Sequence, residues 1–227
     1  MAISTSFKKK SIKRWERFWM KFAGLSKTGK FASWMAIRFT PPHYDREYLG
    51  NIHGNGYISP RATVYHNNLT LGRNTYIDDF CMIYQNKNSG SVDLGDNTRI
   101  YRNVIIETGK NAKVTIGDDS SIHPRCQLNA YVADIIIGKH VMIAANCAFY
   151  SYDHGIRADT PIRSQEVASK GPIIIDDEAW IGTGVIILSG VQIGKGAIIG
   201  AGSVVTKNIP DGGIAVGNPA KLIKSRN

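Results

Sequence analysis

The stretch Ile175–Pro210, IDDEAW IGTGVI ILSGVQ IGKGAI IGAGSV VTKNIP, repeats every six residues. Ile175, Ile181, Ile187, Ile193, Ile199 and Val205 open its units. Gly182, Gly194 and Gly200 follow their aliphatic residue directly, and Ala179, Val185, Val191, Ala197, Ser203 and Ile209 stand four places after it. An amphipathic helix repeats at about 3.6 residues and a half-buried strand at two, so neither explains the pattern. A large aliphatic residue, a small one next, and a small or β-branched one four on suit one flat side of a triangular coil. Three such units close a turn of about 18 residues, and turns stack at strand spacing, roughly 4.8 Å. The aliphatic residue fills the narrow interior, while Gly, Ala or Asp is expected at the tight corner.

The unit recurs upstream at Leu71-Gly72, Ile77-Asp78, Leu94-Gly95, Ile116-Gly117, Ile122-His123, Ile137-Gly138 and Ile143-Ala144. Leu71, Leu94, Ile116 and Ile137 are 23, 22 and 21 residues apart, so each early coil carries a few extra residues at a corner, near 85–90 and 107–113. Ile137 and Ile175 are 38 apart, one coil plus an excursion of 20 residues over about 150–170. Long loops on a rigid scaffold are where function is placed. The expected fold is mainly β: a parallel β-helix over 43–227 with a tail at 211–227, preceded by a separate arm at 1–42.

The chain has 227 residues, 43% of them hydrophobic, which is enough for a core and excludes wholesale disorder. Its net charge of +10 is unevenly spread. Residues 1–38 hold ten cations (Lys8, Lys9, Lys10, Lys13, Arg14, Arg17, Lys21, Lys27, Lys30, Arg38) and one acid, Glu16, a net of +9. Removing these from the 28 basic and 18 acidic residues leaves 18 and 17, a nearly neutral body. In the arm, Ile12, Trp15, Phe18, Trp19, Phe22 and Leu25 recur at helical spacing among the cations, and Phe31, Trp34 and Phe39 follow. Aromatics on one face with cations around it suit a helix in an anionic membrane interface, through residues 8–39. Packing of the same helix on the body or on a neighbouring subunit is the alternative. Nucleic acid is not expected as a partner. No apolar run nears the ~20 residues of a spanning helix, and the N-terminus lacks the apolar h-region of an export signal. A cytoplasmic protein is expected, peripheral at the membrane's inner face if the arm binds lipid.

Cys81, Cys126 and Cys147 each lie four residues after an aliphatic anchor, which reads as core filling, and three cysteines cannot form a fully paired framework. His123 and Cys126 share one hexad without metal-site spacing, so no metal is expected. His43, His53, His66, His123 and His140 read as surface or corner residues, and His154 stands at the foot of the excursion.

The segments Tyr152-Asp153-His154-Gly155-Ile156, Pro161-Ile162-Arg163, Ile175-Asp176-Asp177-Glu178-Ala179-Trp180-Ile181-Gly182, Ile199 through Lys207 and Val216-Gly217-Asn218-Pro219-Ala220-Lys221 together resemble the hexapeptide-repeat acyltransferases of left-handed parallel β-helix fold. The likeness is to the sugar O-acetyltransferase branch, which includes galactoside, maltose and exopolysaccharide acetyltransferases; it covers roughly 55–227 and leaves out the arm. The resemblance implies acetyl-CoA as acyl donor and a saccharide acceptor, exopolysaccharide or lipid- or nucleotide-linked. It implies His154 as general base, since imidazole is largely unprotonated at neutral pH. Asp153 could orient the ring or bind acceptor; chain adjacency does not decide. The coenzyme A groove is carried to Thr183, Ala201, Thr206 and Lys207, with Lys221, and Lys224 or Arg226, for its phosphates and Trp180 lining the pocket. Tyr152, Arg157 and Arg163 are candidates to touch acceptor. A homotrimer is implied, with His154 and the coenzyme A groove on different chains. Other readings are N-acetylation of a nucleotide-linked amino sugar, or a β-helix that is not an acyltransferase, carbonic-anhydrase-like or structural.

Overall fold

The structure is a computed structural model that describes residues 2–54, 56–86, 90–109 and 111–226; the side chains of residues 2–9 and of His43 are not described. Expectations for Lys8 and Lys9, for His43, and for residues 87–89 and 110 of the insertions therefore fall outside the described residues.

The hexads wind into a three-sided parallel β-helix of seven coils, the left-handed solenoid of hexapeptide repeats. Face 1 stacks Tyr57–Ile58, Tyr76–Ile77, Arg99–Ile100, Ser121–Ile122, Met142–Ile143, Trp180–Ile181 and Ile198–Ile199. Face 2 runs from Thr63–Tyr65 through Met82–Gln85, Ile105–Thr108, Gln127–Ala130, Ala148–Tyr150 and Ile186–Leu188 to Val204–Val205. Face 3 holds Leu69–Leu71, Ser91–Leu94, Lys113–Ile116, Ile135–Ile137, Ile173–Ile175 and Gln192–Ile193. Gly213–Val216 and the antiparallel Lys221–Ser225 extend face 1 at its C-terminal end, so the tail ends as a hairpin on the sheet.

Each anchor points inward: Ile77, Ile100, Ile122, Ile143, Ile181 and Ile199 form one column with no more than 1% exposure. Full burial of such a side chain contributes about 1.5–3 kcal/mol. The three cysteines are buried, free thiols within the small-residue column, and burial pushes the Cys81 thiol up to about 12.

The glycine after the anchor has a different purpose from the one expected. The left-handed corner residue is the third after the anchor: Asn74, Asn97, Asp119, His140, Glu178 and Gly196 at one corner, and Phe80, Asn103, Arg125, Asn146, Gly184 and Gly202 at the next. The directly following glycines instead sit where successive coils press together. A Cβ on Gly138 would lie 2.4 Å from Asp177 Oδ1, and one on Gly117 2.7 Å from the Gly138 backbone.

All extra residues leave from the corner between faces 2 and 3. They lie between Met82–Gln85 and Ser91–Leu94, between Ile105–Thr108 and Lys113–Ile116, between Gln127–Ala130 and Ile135–Ile137, and, as the excursion, between Ala148–Tyr150 and Ile173–Ile175. The ladders ignore them: Met142 pairs with Trp180 and Ile143 with Ile181 across the long excursion.

The arm forms a helical hairpin, α1 (Ala2–Met20) and α2 (Lys27–Ala36), with Ser26 Oγ accepting the Gly29 N–H as N-cap. A 3-10 helix, His43–Asn51, leads to the first strand at Tyr57. Met20, Ala36, Ile37 and Leu49 pack in one cluster with Tyr57, Tyr76 and Tyr101 on the outer side of face 1. Glu16, the one acid of the arm, is fully buried and accepts hydrogen bonds from the Thr40 and Tyr48 hydroxyls, and burial raises its pKa. Arg46 reaches Asp79 at 3.2 Å and the Thr40 carbonyl at 3.1 Å, while Ser59 and Arg61 also donate to Asp79.

Candidate functional site

The excursion begins after Tyr150 in the fifth coil and folds back on itself as a short antiparallel hairpin, Asp153–His154 against Val167–Ala168. Its tip is braced by Gln165: its Oε1 accepts the Arg157 N–H at 2.9 Å, and its Nε2 donates to the Arg157 and Thr160 carbonyls at 2.8 and 2.7 Å. Gly155 fits because a Cβ there would meet Gln165 Oε1 at 2.6 Å.

Consecutive residues of an extended strand point to opposite sides. Asp153 Oδ2 accepts a hydrogen bond from Ser189 Oγ in the next coil at 2.7 Å, and Ser189 is buried. Asp153 thus ties the excursion to the sixth coil and leaves the exposed His154 on the other side of the strand. Of the two oxygens of the Asp153 carboxylate, Oδ2 is engaged by Ser189, which anchors the strand that carries His154. Ser189 was not singled out by sequence reading. Its one signal is that the unit Ile187–Gln192 puts Leu188 where the neighbouring units put a small residue.

The His154 ring lies 6.4 Å from the Tyr152 ring, and Tyr152 lies 5.3 Å from Tyr131 of the insertion one coil below. Burial raises the Tyr152 phenol, and Glu107 adds to the rise. Glu107 also accepts a hydrogen bond from Tyr84, whose phenol is pushed up to about 12 by burial and by that carboxylate. Tyr84, Glu107, Asn129 and Tyr150 occupy matching positions in successive strands of face 2, so one outward column borders the insertion corner. Aromatic faces with carboxylate, amide and phenol groups between them can stack on and hydrogen-bond a polyhydroxylated ring. Sequence reading missed Tyr84, Glu107, Asn129 and Tyr131, because they come from different coils.

The remaining candidates are dispersed. Arg157 is exposed and pairs with Asp159 at 3.7 Å, and Arg163 is exposed in the 3-10 helix Ile162–Ser164. Thr183 and Ala201 are exposed and stacked at the corner between faces 1 and 2, where the Gly202 N–H donates to the Thr183 carbonyl at 2.8 Å. Thr206 and Lys207 are exposed at the corner between faces 2 and 3 of the seventh coil. Trp180 stands 48% exposed on face 1 beside the exposed Met142. Lys221 and Lys224 lie in the exposed C-terminal strand, and Arg226 donates to the Gly196 carbonyl at 2.9 Å. Within one chain, His154 and the Thr183–Ala201 pair therefore occupy different corners of the prism. Among the described residues no group of three or more His, Cys, Asp or Glu stands together as metal ligands.

Residues 172–207 match the family described as bacterial transferase hexapeptide (six repeats). The chain is 36% identical over 128 residues to the galactoside O-acetyltransferase of Lactococcus lactis, covering 56% of this chain and 55% of that protein. It is 47% identical over 93 residues to a Schizosaccharomyces pombe protein named as an acetyltransferase, covering 41% and 44%. The chain thus spans about half the length of these curated relatives. Among solved structures it is similar to AntD, an N-acyltransferase from Bacillus cereus, in complex with dTDP and 3-hydroxybutyryl-CoA, at 26% identity and TM-score 0.55 over 72% of this chain and 83% of that one. On its six-residue coils, its family match over residues 172–207 and these relatives, the chain is similar to hexapeptide-repeat acetyltransferases.

Proposed function

We propose that the chain transfers an acetyl group from acetyl-CoA to a hydroxyl of a saccharide, directly and with His154 as general base. The observation that carries this is the placement of His154: exposed on a braced hairpin, tied down through Asp153 and Ser189, and flanked by Tyr152 and Tyr131. His154 accepts the proton of the acceptor hydroxyl as that oxygen attacks the thioester carbonyl. The carbon–sulfur bond then breaks, and the imidazolium returns the proton to the departing thiolate. Neither a covalent enzyme intermediate nor a cysteine nucleophile is needed, and the three thiols are buried.

The donor fits the exposed corner between faces 1 and 2 of the sixth and seventh coils, where Thr183 and Ala201 present backbone on adjacent turns, with Lys221 and Lys224 of the C-terminal strand, and Lys207 from the corner between faces 2 and 3, as cations for phosphate. Because that corner and His154 lie apart in one chain, a homotrimer with sites between copies is part of the proposal. The exposed Met142 and Trp180 on face 1 supply apolar surface for such a contact. A second reading, N-acylation of a nucleotide-linked amino sugar, draws support from the similarity to AntD, which has also been seen with dTDP-4-amino-4,6-dideoxyglucose and coenzyme A.

The test is thiol release from acetyl-CoA over a panel of saccharides and nucleotide-linked amino sugars, with wild type and His154→Ala. Release dependent on a hydroxyl acceptor and lost in the variant is expected. Turnover retained by His154→Ala overturns the mechanism, turnover with amine acceptors alone favours the second reading, and no binding of acetyl-CoA overturns both.

A further inference from the structure

The arm is packed on the body and still leaves one face uncovered. Its buried side is accounted for by Met20, Ala32, Ala36 and Ile37, with Glu16 bonded to Thr40 and Tyr48 and the Trp15 indole N–H donating to the Met35 carbonyl at 2.7 Å. The other side carries Phe18, Phe22, Phe31, Trp34 and Phe39, each between 47% and 59% exposed. These rings form one connected surface. Phe22 packs on Phe18, Phe18 on Trp19, Trp19 on Phe31 and Phe31 on Trp34, with centroids 5.4 to 6.3 Å apart, and Trp15 links Trp19 to Phe39 at 5.7 Å on each side. An exposed apolar patch rimmed by charge marks an interaction site. Here the rim is of one sign: Arg14, Arg17, Lys21, Lys27 and Arg38 are all exposed, and the arm's one acid is buried.

We propose that this aromatic face docks the protein on an anionic lipid bilayer. Phe and Trp side chains enter the boundary between headgroups and acyl chains, and surrounding cations attract anionic headgroups. The charge argues against a second copy as the occupant, because two faces each rimmed by Arg14, Arg17, Lys21, Lys27 and Arg38 repel one another. Docking is by lying on the surface: among the described residues no helix is long and apolar enough to cross a membrane. Trp15 ties α1 to α2, Glu16 ties α1 to Thr40 and Tyr48, and Met20 packs with Tyr57, Tyr76 and Tyr101 of the solenoid, so the aromatic face is presented preformed and pays little ordering entropy on binding.

The test is co-sedimentation of the full chain with phosphatidylcholine vesicles, with and without phosphatidylserine, for wild type and for the triple variant Phe18→Ala, Phe22→Ala, Trp34→Ala. Wild type should sediment with the anionic vesicles, be released by high salt, and bind neutral vesicles weakly. The triple variant should partition at least about tenfold less, with unchanged circular dichroism, since the three side chains are exposed. Sedimentation velocity on the same two proteins, without lipid, reads the competing occupant. Failure of wild type to bind anionic vesicles, equal binding by the triple variant, or a smaller oligomer in the triple variant would each overturn the proposal. None of these measurements uses acetyl-CoA, so their outcome is independent of the acyltransfer reading.

Discussion

Two corners of the same prism follow opposite rules. Between faces 3 and 1 every turn is short, a left-handed residue stands third after the anchor, and the following glycine is pressed against the next coil. Between faces 2 and 3 the chain adds residues in four successive coils without disturbing the ladders on either side, and there His154, Tyr131 and Tyr152 are found. The first corner holds the stack together and the second carries the candidate site. Insertion is cheap where the chain leaves outward, because closure entropy grows only logarithmically with loop length. It is costly where the coils touch, because close-packed backbone has no room to give.

The contrast should break first at His154. His154→Ala should lower kcat/KM by about 10²–10⁴-fold, roughly 3–5 kcal/mol of transition-state stabilisation, with an unchanged melting temperature, since the side chain is exposed. A comparable free energy is expected from a corner that carries no insertion, but there as stability. Asp79, buried between faces 1 and 2, takes Arg46, Arg61 and Ser59, and Asp79→Ala leaves the buried Arg46 uncompensated. A loss of about 3–5 kcal/mol in urea unfolding is expected, with the arm released as well.

Gly138→Ala at the tight corner should cost about 1–3 kcal/mol, because its Cβ would meet Asp177 Oδ1 at 2.4 Å. A Gly-Ser insertion after the exposed Val132, at the permissive corner, should cost less than about 1 kcal/mol in the same assay. Equal losses would abolish the distinction between the corners. The smallest effect is on acid stability. Burial lowers the pKa of His66 and His123, so below the ordinary value of 6.5 the unfolded chain binds protons that the folded chain does not. Stability from these two groups is therefore present at neutral pH and is lost as pH falls from 6.5 through their lowered values. The drop in melting temperature between pH 7.5 and 5.5 should shrink in the double variant His66→Asn, His123→Asn.

The legible part of the fold is the part that repeats. Each hexad states its own inward residue, so Ile175 through Val205 could be placed without knowing where any other coil lay. Coils whose anchor is followed by a large residue, such as Ile100-Tyr101 or Ile106-Glu107, were harder to see, although their anchors are as deeply buried. His154 was legible from its place at the foot of the one long departure from the repeat. The Asp153–Ser189 bond was not, since it spans 36 residues and depends on how far the excursion folds back.

The sequence by itself determined the three-sided coil, the interior columns and the division of charge between arm and body, because each is set by residue type at short, regular spacing. Only the tertiary structure decided that the insertions share one corner, that Asp153 faces Ser189, and that Glu16 is sealed between Thr40 and Tyr48 while the aromatics beside it stay exposed. Those outcomes depend on contacts between positions tens of residues apart. Stacking register brings such positions together, and no local pattern along the chain records it.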